Sequence, residues 1–418
     1  MMRYAMRHVA AAFLLVALAS LPAPEAAAQV DRSAVASAVT YEPIGTYDLA
    51  RLDRVLGEDL KTFMKTPEEA EAYDGLFPPA RYPVQLYKVS YPSVVPELGN
   101  MPTTASGLIA VPQSGQAEMP LLSYQHGTVF DRDYVPSRPD QSAETRIMIA
   151  RFASQGYVVI GADYFGRGDS DLPDSYLVKG SAQQANYDML VAARSVLATL
   201  GVTPGQLFLS GWSQGGCTTL AHLERLESLG VPVTAAAVAS GPPDIALTFN
   251  RWLNNPQPVD APYLPGAVTL LVMADAFYHQ APGLAATAIL PEYLDAARDL
   301  YEGRIDFDTF YGRTAPSLQA FTQPGFRADV AASRGAFWER LDARQAYRWK
   351  FATPVRTWYG GADEVTPIYL GKLPALTQEL LGGARTEAFD AGATADHRGV
   401  FLRAVLDQKP WFDELLAK

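Results

Sequence analysis

A mostly parallel α/β fold, interrupted by a helical insertion, is predicted by three observations. Short apolar runs alternate with helical patterning from Met119 to Ala239. A block from residue 244 to about 345 then carries helical patterning and many aromatics but no clean strand. Strand and helix alternate again from Pro354 onward. Buried strands alternating with helices describe a central sheet covered on both faces. The implied layout is a leader at residues 1–28, a first core part at 29–243, a helical cap insertion at 244–345 and a second core part at 346–418.

Taken in order, residues 29 to about 50 are small and polar and read as a poorly ordered leader. Asp53 to Lys65 has helical spacing at Leu52, Val55, Leu56, Leu60 and Phe63, and Pro67, Pro78 and Pro79 end that pattern. Gln85–Ser90 and Ala105–Val111 are apolar runs bounded by turn formers, as strands are. Leu121–Tyr124 and Tyr157–Ile160 are strands flanking a helix over Ala143–Ser154. A long helix over 182–200 precedes the strand Leu207–Ser210, and a helix follows at Thr218–Leu229. Ala235–Ala239 is the next strand, and Ser240-Gly241-Pro242-Pro243 breaks the series. After the insertion come a strand at Pro354–Tyr359, a helix at Ile368–Leu381, a strand at Thr386–Phe389 and a helix at Val400–Leu406.

Composition narrows the function. The formal net charge is −11, and loss of Arg3, Arg7 and Glu25 with a leader would make it one unit more negative. Nucleic acid and anionic membranes call for basic surfaces, so neither is an expected partner. Arg3 and Arg7, the apolar stretch Val9–Leu21 and Ala26-Ala27-Ala28 spell a secretory signal too short to span a bilayer. Export to the periplasm or medium is expected, without stable membrane insertion. A single cysteine, Cys217, forbids an intramolecular disulfide and reads as a small buried residue.

The chemistry centres on Gly211-Trp212-Ser213-Gln214-Gly215, placed between a strand and a helix. A serine at the tip of such a turn is held in a strained conformation, and glycines two positions away let strand and helix approach. A serine hydroxyl needs a base, and the base needs an acid to fix its tautomer. Of five histidines, only His397 follows the last strand. Asp363 follows a resumed strand in Tyr359-Gly360-Gly361-Ala362-Asp363, with Asp390 and Glu364 as rival acids. Charge developing on a carbonyl oxygen needs preorganised N–H donors. The amide of Gln214 is one; the turn His126-Gly127-Thr128 holds the other, with Thr128 favoured and Gly127 second. His126 reads as a positioning residue.

With these residues in view, the chain resembles the α/β-hydrolases, and within them the secretory lipases of the Candida antarctica lipase A type. The resemblance rests on Tyr124–Thr128, Ala162–Ser170, Gly211–Gly216, Gly360–Pro367 and Asp396-His397, which frame roughly residues 80 to 405. It implies the chain order Ser213, Asp363, His397 for the triad, hydrolysis of a small-molecule or lipid-like ester through an acyl-serine, no cofactor, and a helical cap after a core strand. The aromatics of the insertion point to an apolar or aromatic acyl or alcohol group. The eukaryotic members carry disulfides that this chain cannot form, so their cap rigidity does not transfer.

Two other readings make different demands. A serine aminopeptidase or dipeptidyl peptidase on the same fold would need cap carboxylates for a substrate ammonium, for which Glu292, Asp295 and Asp299 are the candidates. A non-catalytic binding protein on a hydrolase scaffold would leave Ser213 unreactive. Gly166-Arg167-Gly168-Asp169-Ser170-Asp171 approximates a dinucleotide loop but puts Asp171 at the third glycine. Its Arg-Gly-Asp is explained by a turn after a strand. No His-Glu-x-x-His or Cys-x-x-Cys supports a metal site.

Overall fold

The computed structural model describes residues 39–418; the leader expected at residues 1–28 lies outside them. Nine strands form one sheet in the order β1-β2-β3-β5-β4-β6-β7-β8-β9. They are β1 (Thr40–Tyr47), β2 (Val84–Val95), β3 (Met101–Pro112), β4 (Glu118–Gln125), β5 (Val158–Ala162), β6 (Thr203–Trp212), β7 (Ala235–Ala239), β8 (Val355–Tyr359) and β9 (Thr386–Asp390). β1, β2 and β3 pair antiparallel, as does β3 with β5, and every pairing from β5 through β9 is parallel. This is the α/β-hydrolase sheet.

The strands are apolar almost without interruption because both faces are covered. Alternate side chains go to opposite layers. Leu121, Val158, Ile160, Leu207, Leu209 and Val238 join one core cluster. Leu122, Tyr124, Val159, Phe208, Ala235 and Ala237 join the other.

The helices, numbered in chain order, are α1 (Leu49–Arg54), α2 (Leu60–Phe63), α3 (Pro67–Glu71), α4 (Ala143–Phe152), α5 (Lys179–Thr199) and α6 (Gln214–Ser228). Between β7 and β8 lie eight more: α7 (Ile245–Asn254), α8 (Leu264–Tyr278), α9 (Leu284–Ala288), α10 (Leu294–Tyr301), α11 (Phe307–Arg313), α12 (Leu318–Phe321), α13 (Pro324–Ala331) and α14 (Ala336–Ala343). The chain closes with α15 (Ile368–Leu381) and α16 (His397–Leu416). Side chains of α5 and α6 belong to the first cluster, and those of α4 and α16 to the second. No helix among the described residues is long and apolar enough to cross a membrane.

Three local expectations are corrected. The poorly ordered leader expected over 29 to about 50 lies outside the described residues up to 38, and beyond them it is ordered: Thr40–Tyr47 is an edge strand on β2 and Leu49–Arg54 a helix capped by the Asp48 side chain. Only Tyr47 of that strand is buried, so its order comes from backbone pairing that leaves no apolar pattern to read. The helix expected over 53–65 is broken by a π-helical turn at Val55–Asp59. The last helix starts at His397 rather than Val400, because Asp396 caps it by accepting the Gly399 N–H at 2.7 Å.

Candidate active site

In a parallel sheet the carboxyl ends of the strands share one edge, where loops from different strands meet. β4 delivers His126-Gly127-Thr128 there, β6 delivers Ser213, β7 delivers Ser240, β8 delivers the Asp363 loop, and β9 leads to His397. Ser213 has φ 57° and ψ −123°, left-handed backbone that costs an L-residue of order 1–3 kcal/mol and persists only where packing enforces it. The enforcement is visible at the glycines. A Cβ on Gly211 would run into the Gly215 carbonyl, and one on Gly215 into the Gln125 carbonyl of β4. The Ser213 N–H donates to Ala239 O at 3.0 Å, tying the turn to β7. Gln214 is the first residue of α6, so its amide precedes the intrahelical ladder and is available to a ligand.

His397 Nδ1 lies 3.0 Å from Asp363 Oδ1, with both groups buried. The same oxygen accepts the backbone N–H groups of Val365 and Thr366 at 2.9 and 2.8 Å. The other, Oδ2, accepts from Ser240 Oγ at 2.5 Å. Burial by itself would raise the Asp363 carboxyl; the charge and hydrogen bond of His397 and the donors Ser240 and Thr366 outweigh it and hold the group below its usual range. Burial would lower His397, yet attraction to Asp363, reinforced by Glu364 and Asp396, raises it. Its Nε2 has no hydrogen-bond partner, and Ser213 lines the same cavity without bonding to it.

The rival acids are placed elsewhere. Glu364 accepts the backbone N–H of His397 at 3.0 Å and pairs with Lys65 at 2.6 Å. Asp390 is exposed and accepts the Gly392 N–H. Asp396 caps α16 and also pairs with Lys65, at 2.9 Å. His126 is buried, with its ring nitrogens 2.8 Å from Gly127 O and 3.2 Å from Asp163 O and its ring stacked on Tyr164. Burial lowers its pKa to about 4, so it stays neutral and braces the turn. Cys217 is buried, and desolvation pushes its thiol up to about 12, which makes it inert.

Thr128, Trp212, Ser213, Gln214 and His397 line one cavity of about 500 Å³. Its other walls are largely apolar; more than half come from the insertion, among them Ile245, Phe249, Trp252, Leu264, Leu271 and Phe307, and the rest from core residues such as Phe130, Tyr176 and Val365. Glu292, Asp295 and Asp299 do not line it: the first two are exposed, and Asp299 pairs with Arg304 at 2.7 Å. Among the described residues no cluster of His, Cys, Asp or Glu is arranged to hold a metal.

Sequence reasoning missed three contributors. Ser240 has φ 44° and directs its hydroxyl at Asp363; its place just after a strand, at the break in alternation, was the available signal. Trp212 donates its indole N–H to His397 O at 3.0 Å. Glu144 accepts the Gly127 N–H. Neither of the last two leaves a mark in the local pattern, because each acts across the sheet.

No protein-family model and no curated protein sequence matches the chain. Solved structures do. A Legionella pneumophila protein described as a candidate hydrolase superposes with a TM-score of 0.78 at 23% identity, over 90% of this chain and 97% of that one. The rice cell wall degrading esterase LipA of Xanthomonas oryzae gives 0.75 at 23%, with the same two coverages. Candida antarctica lipase A in its closed state gives 0.61 at 15%, over 79% and 78%. The chain therefore has the α/β-hydrolase fold.

Proposed function

We propose that this chain is a serine hydrolase of carboxylic esters. The observation that carries the reading is one cavity lined by a serine in left-handed backbone and a histidine whose Nε2 is free while its Nδ1 is held by a buried aspartate. Ser213 attacks the ester carbonyl as His397 Nε2 takes its proton. Asp363 holds the imidazole with its proton on Nδ1 and stabilises the imidazolium that forms. The negative oxygen of the tetrahedral intermediate takes hydrogen bonds from the Gln214 and Thr128 amides. Gly127 is set aside as a donor because its N–H is already spent on Glu144. His397 then protonates the leaving alkoxide, and water repeats the cycle on the acyl-serine.

The apolar walls supplied by the insertion, acting as a cap, favour an ester with an apolar or aromatic group. The esterase and lipase among the superposable structures support the reaction class. No cap carboxylate at the cavity favours an ammonium substrate, so the peptidase reading is the weaker one. Export with removal of residues 1–28 belongs to the same proposal; mass spectrometry of the mature amino terminus from a secreting bacterial host tests it.

The function itself is tested with a fluorophosphonate probe and paired substrates. Labelling of Ser213, with p-nitrophenyl esters turned over faster than aminoacyl anilides, is the expected result. Faster anilide cleavage would overturn the ester assignment, and an unlabelled Ser213 would overturn the acyl-serine mechanism.

A further inference from the structure

Among the buried titratable groups that the mechanism above leaves unused, one lies directly against the oxyanion turn. Glu144, the second residue of α4, is buried beneath the turn after β4, and both its carboxylate oxygens lie 3.1 Å from the Gly127 nitrogen. The turn is clamped there: a Cβ on Gly127 would meet the Trp212 ring at 3.0 Å and Glu144 Oε2 at 3.1 Å. No other residue type fits that gap without displacing one wall. Among the described residues Glu144 makes no ion pair. The titratable groups around it are the Tyr124 hydroxyl from β4, the Tyr164 hydroxyl from the loop after β5, and His397 at the start of α16.

Resting on the serine-hydrolase reading, we propose that Glu144 is the positioning residue of the oxyanion turn: it grips the Gly127 N–H so that the next amide, that of Thr128, is presented to the cavity. Thr128 lines that cavity beside Ser213. Holding an amide to within a few tenths of an ångström is what oxyanion stabilisation demands, since the donor must meet the charged oxygen at about 2.7–3.1 Å. A carboxyl suits the task when it is neutral. It accepts the N–H through its carbonyl oxygen and sets no negative charge one residue from the developing oxyanion. Burial outweighs the Gly127 hydrogen bond and the nearby His397 charge and pushes Glu144 up to about 8, so the neutral form prevails at pH 7. Above that value ionisation opposes the transition state.

The test compares Glu144→Ala and Glu144→Gln with the wild type on a p-nitrophenyl ester from pH 6 to 10, with folding checked by circular dichroism. Glutamine is isosteric with the protonated acid and cannot ionise. Glu144→Ala should lose about 10- to 100-fold in kcat at pH 7 with KM changed less than about threefold. Glu144→Gln should recover most of that loss and lack the alkaline decline expected of the wild type near pH 8. Unchanged kcat in a folded Glu144→Ala, a Glu144→Gln as impaired as the alanine variant, or an alkaline decline that survives in Glu144→Gln would each overturn the role. If the alanine variant fails to fold, the glutamine profile decides alone. Fluorophosphonate labelling of the wild type separates the two levels: an unlabelled Ser213 brings down the mechanism, whereas labelling with an unaffected Glu144→Ala brings down only the positioning role.

Discussion

Asp363 accepts hydrogen bonds from four groups, His397, Ser240, Val365 and Thr366, and in the proposed mechanism a carboxylate so tied keeps the His397 proton on Nδ1. Asparagine there would offer its N–H₂ to Nδ1 or lose the bond, either way favouring the wrong tautomer. Asp363→Asn is therefore expected to lower kcat by about 10³- to 10⁴-fold while Ser213 stays in place. Ser213→Ala and His397→Ala should each abolish most turnover without adding, because neither partner works alone. A double variant that lost the product of the two single losses would refute the acyl-serine mechanism. His397 must be neutral to accept the serine proton, and its pKa lies above the ordinary 6.5. The acid limb of kcat/KM is accordingly expected above pH 6.5, and a limb below it would show that Asp363 does not stabilise the imidazolium. Stability follows the same groups. The raised His397 contributes stability that is complete below about 6.5 and is lost as pH rises through its folded value. Glu144, raised from 4.5 to about 8, binds more protons folded than unfolded between those values. Stability should then fall with rising pH across that window, and Glu144→Gln should flatten the fall in a melting series.

Two elements impose the geometry on these residues. The elbow works because β6 and α6 meet without side chains at Gly211 and Gly215, and the second of these packs against the backbone of β4. Gly215→Ala would push the elbow off the Gln125 carbonyl, so a loss of about 1–3 kcal/mol in urea unfolding and a larger loss of activity are expected. In the insertion, α8 carries Asp275, fully buried and paired with Arg340 and Arg344 of α14 and the residue following it. Asp275→Ala would strand Arg344 in the interior. Chemical denaturation should register about 3–5 kcal/mol of destabilisation, as removal of one member of a buried pair does.

At the scale of the whole molecule, the groups proposed to be catalytic come from the sheet edge, and about half of the cavity wall comes from the insertion, joined by core side chains such as Phe130, Tyr176, Trp212 and Val365. Exchange of a wall residue should change selectivity without touching the chemistry. Leu271 of α8 is buried and lines the cavity far in sequence from the triad. Leu271→Trp is predicted to reduce kcat/KM for long-chain p-nitrophenyl esters at least tenfold relative to the acetate, each excluded methylene being worth about 1 kcal/mol or more. Equal losses on both esters would mean that the acyl group does not occupy that end of the cavity.

The legible part of this protein is the part written in local pattern. The runs at Leu121, Val158, Leu207 and Ala235 are buried on both faces and so are apolar almost without a break, which is why they read as parallel strands. The elbow at Ser213 reads from sequence because its strain demands glycine at fixed positions, and the Asp363 loop and His397 read because each follows a strand. What tertiary structure alone decided depends on atoms distant in the chain. The edge strand at Thr40–Tyr47 is ordered by β2 and carries no apolar pattern. Ser240 meets Asp363 across 123 residues, Trp212 meets His397 across 185, and Glu144 meets Gly127 from another element. A residue's type and its neighbours determine what it can do. Which partner completes it is a matter of where the fold brings the two together, and no local spacing encodes that.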